Sequence, residues 1–121
     1  MEDSQQDSVA QGFIQHYYGD STGADALSKL YRDESTLSWE GRKVRGGSGI
    51  VEKLSKHLHM IRRVLTTDIH PTRNGGFIAV VTGSVFESDA PPLFFSETFE
   101  LVLDQASAYY VANQILRFSE D

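Results

Sequence analysis

The chain has 121 residues, 40% hydrophobic and 23% charged, an ordinary globular balance for one domain that buries roughly two thirds of its unfolded surface. It contains no cysteine, which excludes disulfides, thiolate metal sites and cysteine nucleophiles and fits a reducing compartment. Eleven basic against seventeen acidic side chains leave a net charge of −6, the wrong sign for a nucleic-acid footprint despite the clusters "RKVR" (42–45) and Arg62–Arg63; a basic protein partner is the better match.

The opening "MEDSQQDS" is acidic and polar, unlike a signal or transit peptide. The longest apolar runs, "FIAVV" and "AYYVA", fall far short of a membrane span, so a soluble, intracellular protein without membrane insertion is expected. Phe13, Ile14, Tyr17 and Tyr18 fall on one face of a helix beginning near Ser8, and the tyrosines read as core. "GDSTG" breaks that helix, and Leu27, Leu30 and Tyr31 mark a short second one. A strand from Ser35 to Trp39 leads to a turn at Gly41. After Gly46 and Gly47 a third helix carries Ile50, Val51, Leu54 and Leu58 on one side. "GGSG" (46–49) lacks the lysine and spacing of a phosphate-binding loop and reads as a turn plus a helix start. His57 and His59 point nearly opposite ways on a helix, which argues against a metal site.

The period then changes to two. Residues 62–70, 77–88, 93–104 and 109–118 read as long strands joined at "NGG", "DAPP" and "DQAS". Three helices followed by an antiparallel meander is an α+β order, predicted as one domain over 1–121. A twisted sheet of this kind curls around its helices into a half-open cone whose mouth is a pocket. Its second face carries Ile78, Val80 and Phe86 and must be covered, which predicts a homodimer. The one tryptophan, Trp39, sits beside Glu40: an indole and a carboxylate together suit an apolar-plus-basic partner.

"FIQHYY" (13–18), "LSWEG" (37–41), "GIVEKLS" (49–55) and a Gly, Pro, Phe, Phe pattern over 83–99 resemble the nuclear transport factor two family, from about Phe13 to Phe118. The resemblance implies a cone-shaped α+β fold, a sheet-to-sheet homodimer, no cofactor and no catalysis. It implies a carrier that returns the GTPase Ran, in its GDP form, to the nucleus, binds phenylalanine–glycine repeats of nucleoporins, and is found in cytoplasm and nucleus with enrichment at the pore. An aromatic side chain of Ran enters the cone mouth, and basic residues beside it meet acids on the rim. The residues so implied are Trp39 lining the pocket, Glu40 on its lip, and Leu58, Met60, Leu93, Phe95 and Leu116 as apolar contacts. Strand alternation agrees that Trp39 and Glu40 face opposite ways. Where the family loop carries acids this chain has "ESDAPP", with Glu87 and Asp89 supplying the charge. The N-terminal tryptophan of vertebrate-type members, which helps bind the repeats, is missing; "SQQDS" stands there.

Two alternatives remain: a same-fold scaffold in mRNA export, and a cone-fold isomerase or hydratase with a carboxylate base opposite a tyrosine. Asp68 and Glu97, the latter on the same face as Phe95 and Phe99, are the candidate bases. Burial would raise the carboxyl pKa of Glu97. The family resemblance favours a charge at the dimer surface instead.

Overall fold

A computed structural model describes residues 3–19, 23–57, 60–86 and 90–119. Three helices, α1 (Asp3–Tyr17), α2 (Ala24–Ser28) and α3 (Gly47–Ser55), accompany six strands. These are β1 (Tyr31–Trp39), β2 (Arg42–Arg45), β3 (Ile61–Pro71), β4 (Phe77–Phe86), β5 (Leu93–Leu103) and β6 (Tyr109–Ser119). The sheet runs β2-β1-β6-β5-β4-β3, and its two edges do not pair, so it curls without closing. Among the described residues no helix is long and apolar enough to cross a membrane.

The sheet is antiparallel except at one seam. After β2 the chain passes through α3 to the far edge and returns as the meander β3 to β6, which brings β6 beside β1 in parallel. Two irregularities bend it: the register of β3 on β4 shifts between Val64 and Thr66, and that of β5 on β6 between Glu100 and Leu101. Bulges increase local twist, which turns a flat meander into a cone.

The inner face follows the period-two pattern. Phe77, Ala79, Val81 and Val85 from β4 and Phe95, Phe99 and Leu101 from β5 are buried. Helix α1 lays Phe13, Ile14 and Tyr17 on them, with the Phe13 ring 5.1 Å from Phe99 and Tyr17 4.9 Å from Phe99. Burying each such side chain contributes about 1.5–3 kcal/mol, so this contact anchors α1 on β4 and β5.

Several boundaries differ from the sequence reading. Helix α1 starts at Asp3 rather than near Ser8, because its first turns are polar and leave no apolar period to read. Tyr31, expected on the second helix, opens β1 instead, and its hydroxyl donates to Gln114 across the core (2.6 Å). "RKVR" is the short edge strand β2, a hairpin partner of β1 that its exposed charges conceal. "NGG" does turn the chain, through a single 3₁₀ turn in which Asn74 has φ 64°.

Candidate functional site at the cone mouth

The site begins with the turn that joins β1 to β2. Trp39 pairs with Arg42 across two residues of positive φ, Glu40 at 52° and Gly41 at 87°. That is the mirror-type turn whose twist matches a hairpin. Glycine adopts it freely, whereas a glutamate there needs support. The support comes from β6: the Glu40 N–H donates to the Leu116 carbonyl (3.0 Å), and the Glu40 carboxylate accepts the Phe118 N–H. Glu40 is exposed, but its carboxylate is fixed in place.

Trp39, one residue earlier, turns inward and is half-buried. The His57 ring stacks on it at 4.3 Å and 21°, Phe118 meets it edge-on at 5.9 Å, and the Lys53 ammonium lies 5.5 Å from its centroid. Together with Met60, Val85, Pro91 and Leu93 these rings enclose a mouth of about 180 Å³. Beneath it lies an inner space of about 30 Å³, bounded by Tyr17, Arg62, Phe95, Leu116 and Glu97.

The floor is polar. Glu97 is 2% exposed. Its Oε1 accepts from the Tyr18 hydroxyl (2.6 Å), and its Oε2 accepts from Gln114 Nε2 (2.7 Å) and more distantly from the Tyr17 hydroxyl (3.4 Å). Gln114 Nε2 also donates to the Tyr17 oxygen (2.9 Å). The Arg62 guanidinium lies 5.0 Å over both tyrosine rings. Burial pushes the Glu97 carboxyl above the usual carboxylate range, against the hydrogen bonds from Tyr18 and Gln114 and the charge of Arg62. Burial first, and then the Glu97 charge, holds the hydroxyls of Tyr17 and Tyr18 above the ordinary tyrosine value.

Of the residues singled out in the sequence, Trp39, Met60, Leu93, Phe95 and Leu116 all line this mouth or its inner space, and Glu40 stands on the turn at its lip. Leu58, Glu87 and Asp89 lie outside the described residues. Two expectations are corrected. Glu97 is no dimer-surface charge, because alternation places it on the inner face with Phe95 and Phe99, where three side chains hydrogen-bond it. Asp68 cannot serve as a base inside the cone, because it is exposed and pairs with Val80 on the outer face. Sequence reasoning also missed His57, Arg62 and Phe118 as lining. Arg62 turns inward because it stands opposite Val85, an inward position, at the start of β3, a register that only the folded sheet sets.

The nuclear transport factor 2 (NTF2) domain model matches residues 9–118. The chain belongs to the nuclear transport factor 2 family. It is 36% identical over 115 residues to nuclear transport factor 2 of Emericella nidulans, covering 91% of this chain and 92% of that one. It is likewise 36% identical to the Saccharomyces cerevisiae protein of that name, with 92% of both chains covered. The solved structure of nuclear transport factor 2 from Cryptosporidium parvum superposes with a TM-score of 0.83 at 32% identity over 96% of each chain. Nuclear transport factor 2 relatives of this similarity support a nuclear transport role for the chain, with residence on both sides of the nuclear envelope.

Proposed function

We propose that the protein is a non-enzymatic carrier that binds the GDP form of Ran at the cone mouth and returns it to the nucleus. The observation that carries this reading is the apolar mouth of about 180 Å³ beside Trp39, with a carboxylate held at its lip by the Phe118 N–H. A ring of this volume and lining takes one aromatic side chain, since buried aromatic anchors in pockets dominate interface energies. Glu40 then faces a basic residue next to the anchor, and its fixed geometry lowers the entropy lost on pairing. Leu58, Glu87 and Asp89 complete the contact set in this proposal.

The carrier also binds phenylalanine–glycine repeats of nucleoporins, as a homodimer built on the outer face of the sheet, and concentrates at the pore. Support for the dimer comes from outward apolar side chains on that face: Phe94 is 52% exposed, Ile115 49% and Ile78 36%. A dimer presents two weak repeat sites, which gives avidity without strong single contacts.

The test is capture of Ran loaded with GDP and, separately, with a non-hydrolysable GTP analogue. GDP-selective capture is expected. Equal capture of both forms, or none, removes the carrier reading.

A further inference from the structure

The carrier reading uses the cone mouth and leaves its floor unexplained: a carboxylate is buried there at the end of an apolar shaft. We propose that this floor is a small-molecule site for a neutral, single-ring apolar compound bearing one hydroxyl group, whose hydroxyl donates to Glu97 Oε1.

Size sets the body of the ligand. The mouth of about 180 Å³ is comparable to an engineered apolar cavity of about 150 Å³ that holds benzene. The two spaces share Trp39, His57, Met60, Val85 and Phe118 in their walls, so they adjoin. The inner space of about 30 Å³ has room for one water-sized group, and its wall includes Glu97.

Hydrogen bonding sets the head group. The donors nearest the carboxylate are committed: the Tyr17 and Tyr18 hydroxyls and Gln114 Nε2 all point at Glu97 or at one another, while Arg62 donates to the Tyr17 backbone carbonyl (3.2 Å). Each carboxylate oxygen accepts about two hydrogen bonds, and Oε1 receives only that of Tyr18 among the described residues. The floor therefore offers an acceptor and calls for a donor. Charge narrows the class again. Glu97 and the Arg62 guanidinium, which sits over the two tyrosine rings, offset each other. An ammonium meets Arg62 and a carboxylate meets Glu97, so a neutral donor fits both.

The plainer role of this network is to tie α1 to β5 and β6. That role accounts for Tyr17 and Gln114 but gives no reason for an apolar shaft that ends on the carboxylate. The ligand site also has a consequence for transport, since a ring held in the mouth excludes an aromatic anchor from the same space.

The experiment titrates the full chain with 4-methylphenol, with 4-methylanisole, which lacks the donor, and with benzylamine, which is cationic. Calorimetry and the fluorescence of Trp39, the one tryptophan, provide the readouts. The phenol is expected to bind roughly tenfold tighter than the ether, which brings no donor to the buried Oε1, and tighter than the amine. Glu97→Leu, which leaves no acceptor at this position, should erase that preference, and the wild-type comparison stands even if this variant fails to fold. Equal affinities for phenol and ether, a preference for the amine, or no binding at millimolar ligand overturns the proposal. The measurement uses the chain alone, so it succeeds or fails independently of Ran capture.

Discussion

The Glu40 carboxylate accepts the backbone N–H of Phe118, so the residue at the lip of the cone also pins the β1–β2 turn to β6. One side chain thus serves a docking edge and a local fold constraint, and the two can be separated by substitution.

Glu40→Gln keeps an acceptor oxygen for the Phe118 N–H but removes the charge; Glu40→Lys removes both. The lysine variant is expected to lose about 1 kcal/mol of stability, the net worth of a typical hydrogen bond. The glutamine variant should melt close to wild type. Both should weaken capture of Ran-GDP, the lysine variant by some 30-fold or more, since breaking one partner of a close interfacial charge pair costs roughly 2–5 kcal/mol. Paired thermal melts and binding isotherms check this. Undiminished binding by Glu40→Lys would reduce the turn to a structural role.

Glu97 gives a pH dependence of definite sign. Burial raises its folded-state pKa above the unfolded value, so the folded protein holds that proton more tightly. Its contribution is fully present below the unfolded pKa, about 4.3, and is lost as pH rises through the folded pKa. Glu97→Gln does not titrate at this position. The melting temperature of wild type minus that of Glu97→Gln should therefore fall as pH rises from 4, then level off. A difference that grows with pH would mean that Tyr18, Gln114 and Arg62 outweigh burial and hold the folded pKa low.

Much of this was legible in the sequence, for local reasons. Phe13, Ile14 and Tyr17 sit at helical spacing, and β4 and β5 bury alternate residues, so two periods suffice to assemble the core. Trp39 followed by Glu40 and Gly41 marks the mouth because the glycine demands a turn there. Strand β2 escaped notice because three of its four residues are exposed cations. The surroundings of Glu97 escaped for a different reason. Its face was readable from Phe95 and Phe99, but its partners Tyr17, Tyr18 and Gln114 lie 80, 79 and 17 residues away. Only the curl of the sheet brings them together.

Two glycines should respond in opposite directions to alanine. A Cβ on Gly83 would run into the Arg63 carbonyl oxygen on β3 and approach the Phe95 ring to 2.8 Å. The β3 backbone is held by its ladder with β4 and cannot yield freely. Gly83→Ala is expected to cost about 1–3 kcal/mol and to disturb the Phe95 wall of the inner cavity. Gly12 lies exposed on α1 with nothing near its absent Cβ, so Gly12→Ala should stabilise by up to about 1 kcal/mol. Urea denaturation of both variants reads the contrast. Comparable stabilities would mean that β3 relaxes around the added methyl.

The outer face of the sheet makes the last prediction. Register places Asp68, Val80, Thr98 and Ile115 in one row across β3, β4, β5 and β6, all pointing away from the helices. Ile115 is 49% exposed in the single chain, with Phe94 and Ile78 exposed on the same face. A two-fold pairing covers this face with one self-complementary patch, and a glutamate in its middle places two carboxylates in a desolvated seam. Ile115→Glu should therefore sediment as a 13.5 kDa species, while wild type sediments at twice that mass at micromolar concentration. The circular dichroism of the variant should match wild type, because Ile115 faces away from the core. If Ile115→Glu also loses capture of nucleoporin repeats but keeps Ran-GDP, the repeat sites depend on the dimer seam. Wild type that sediments only at 13.5 kDa would leave the apolar outer face for a different partner.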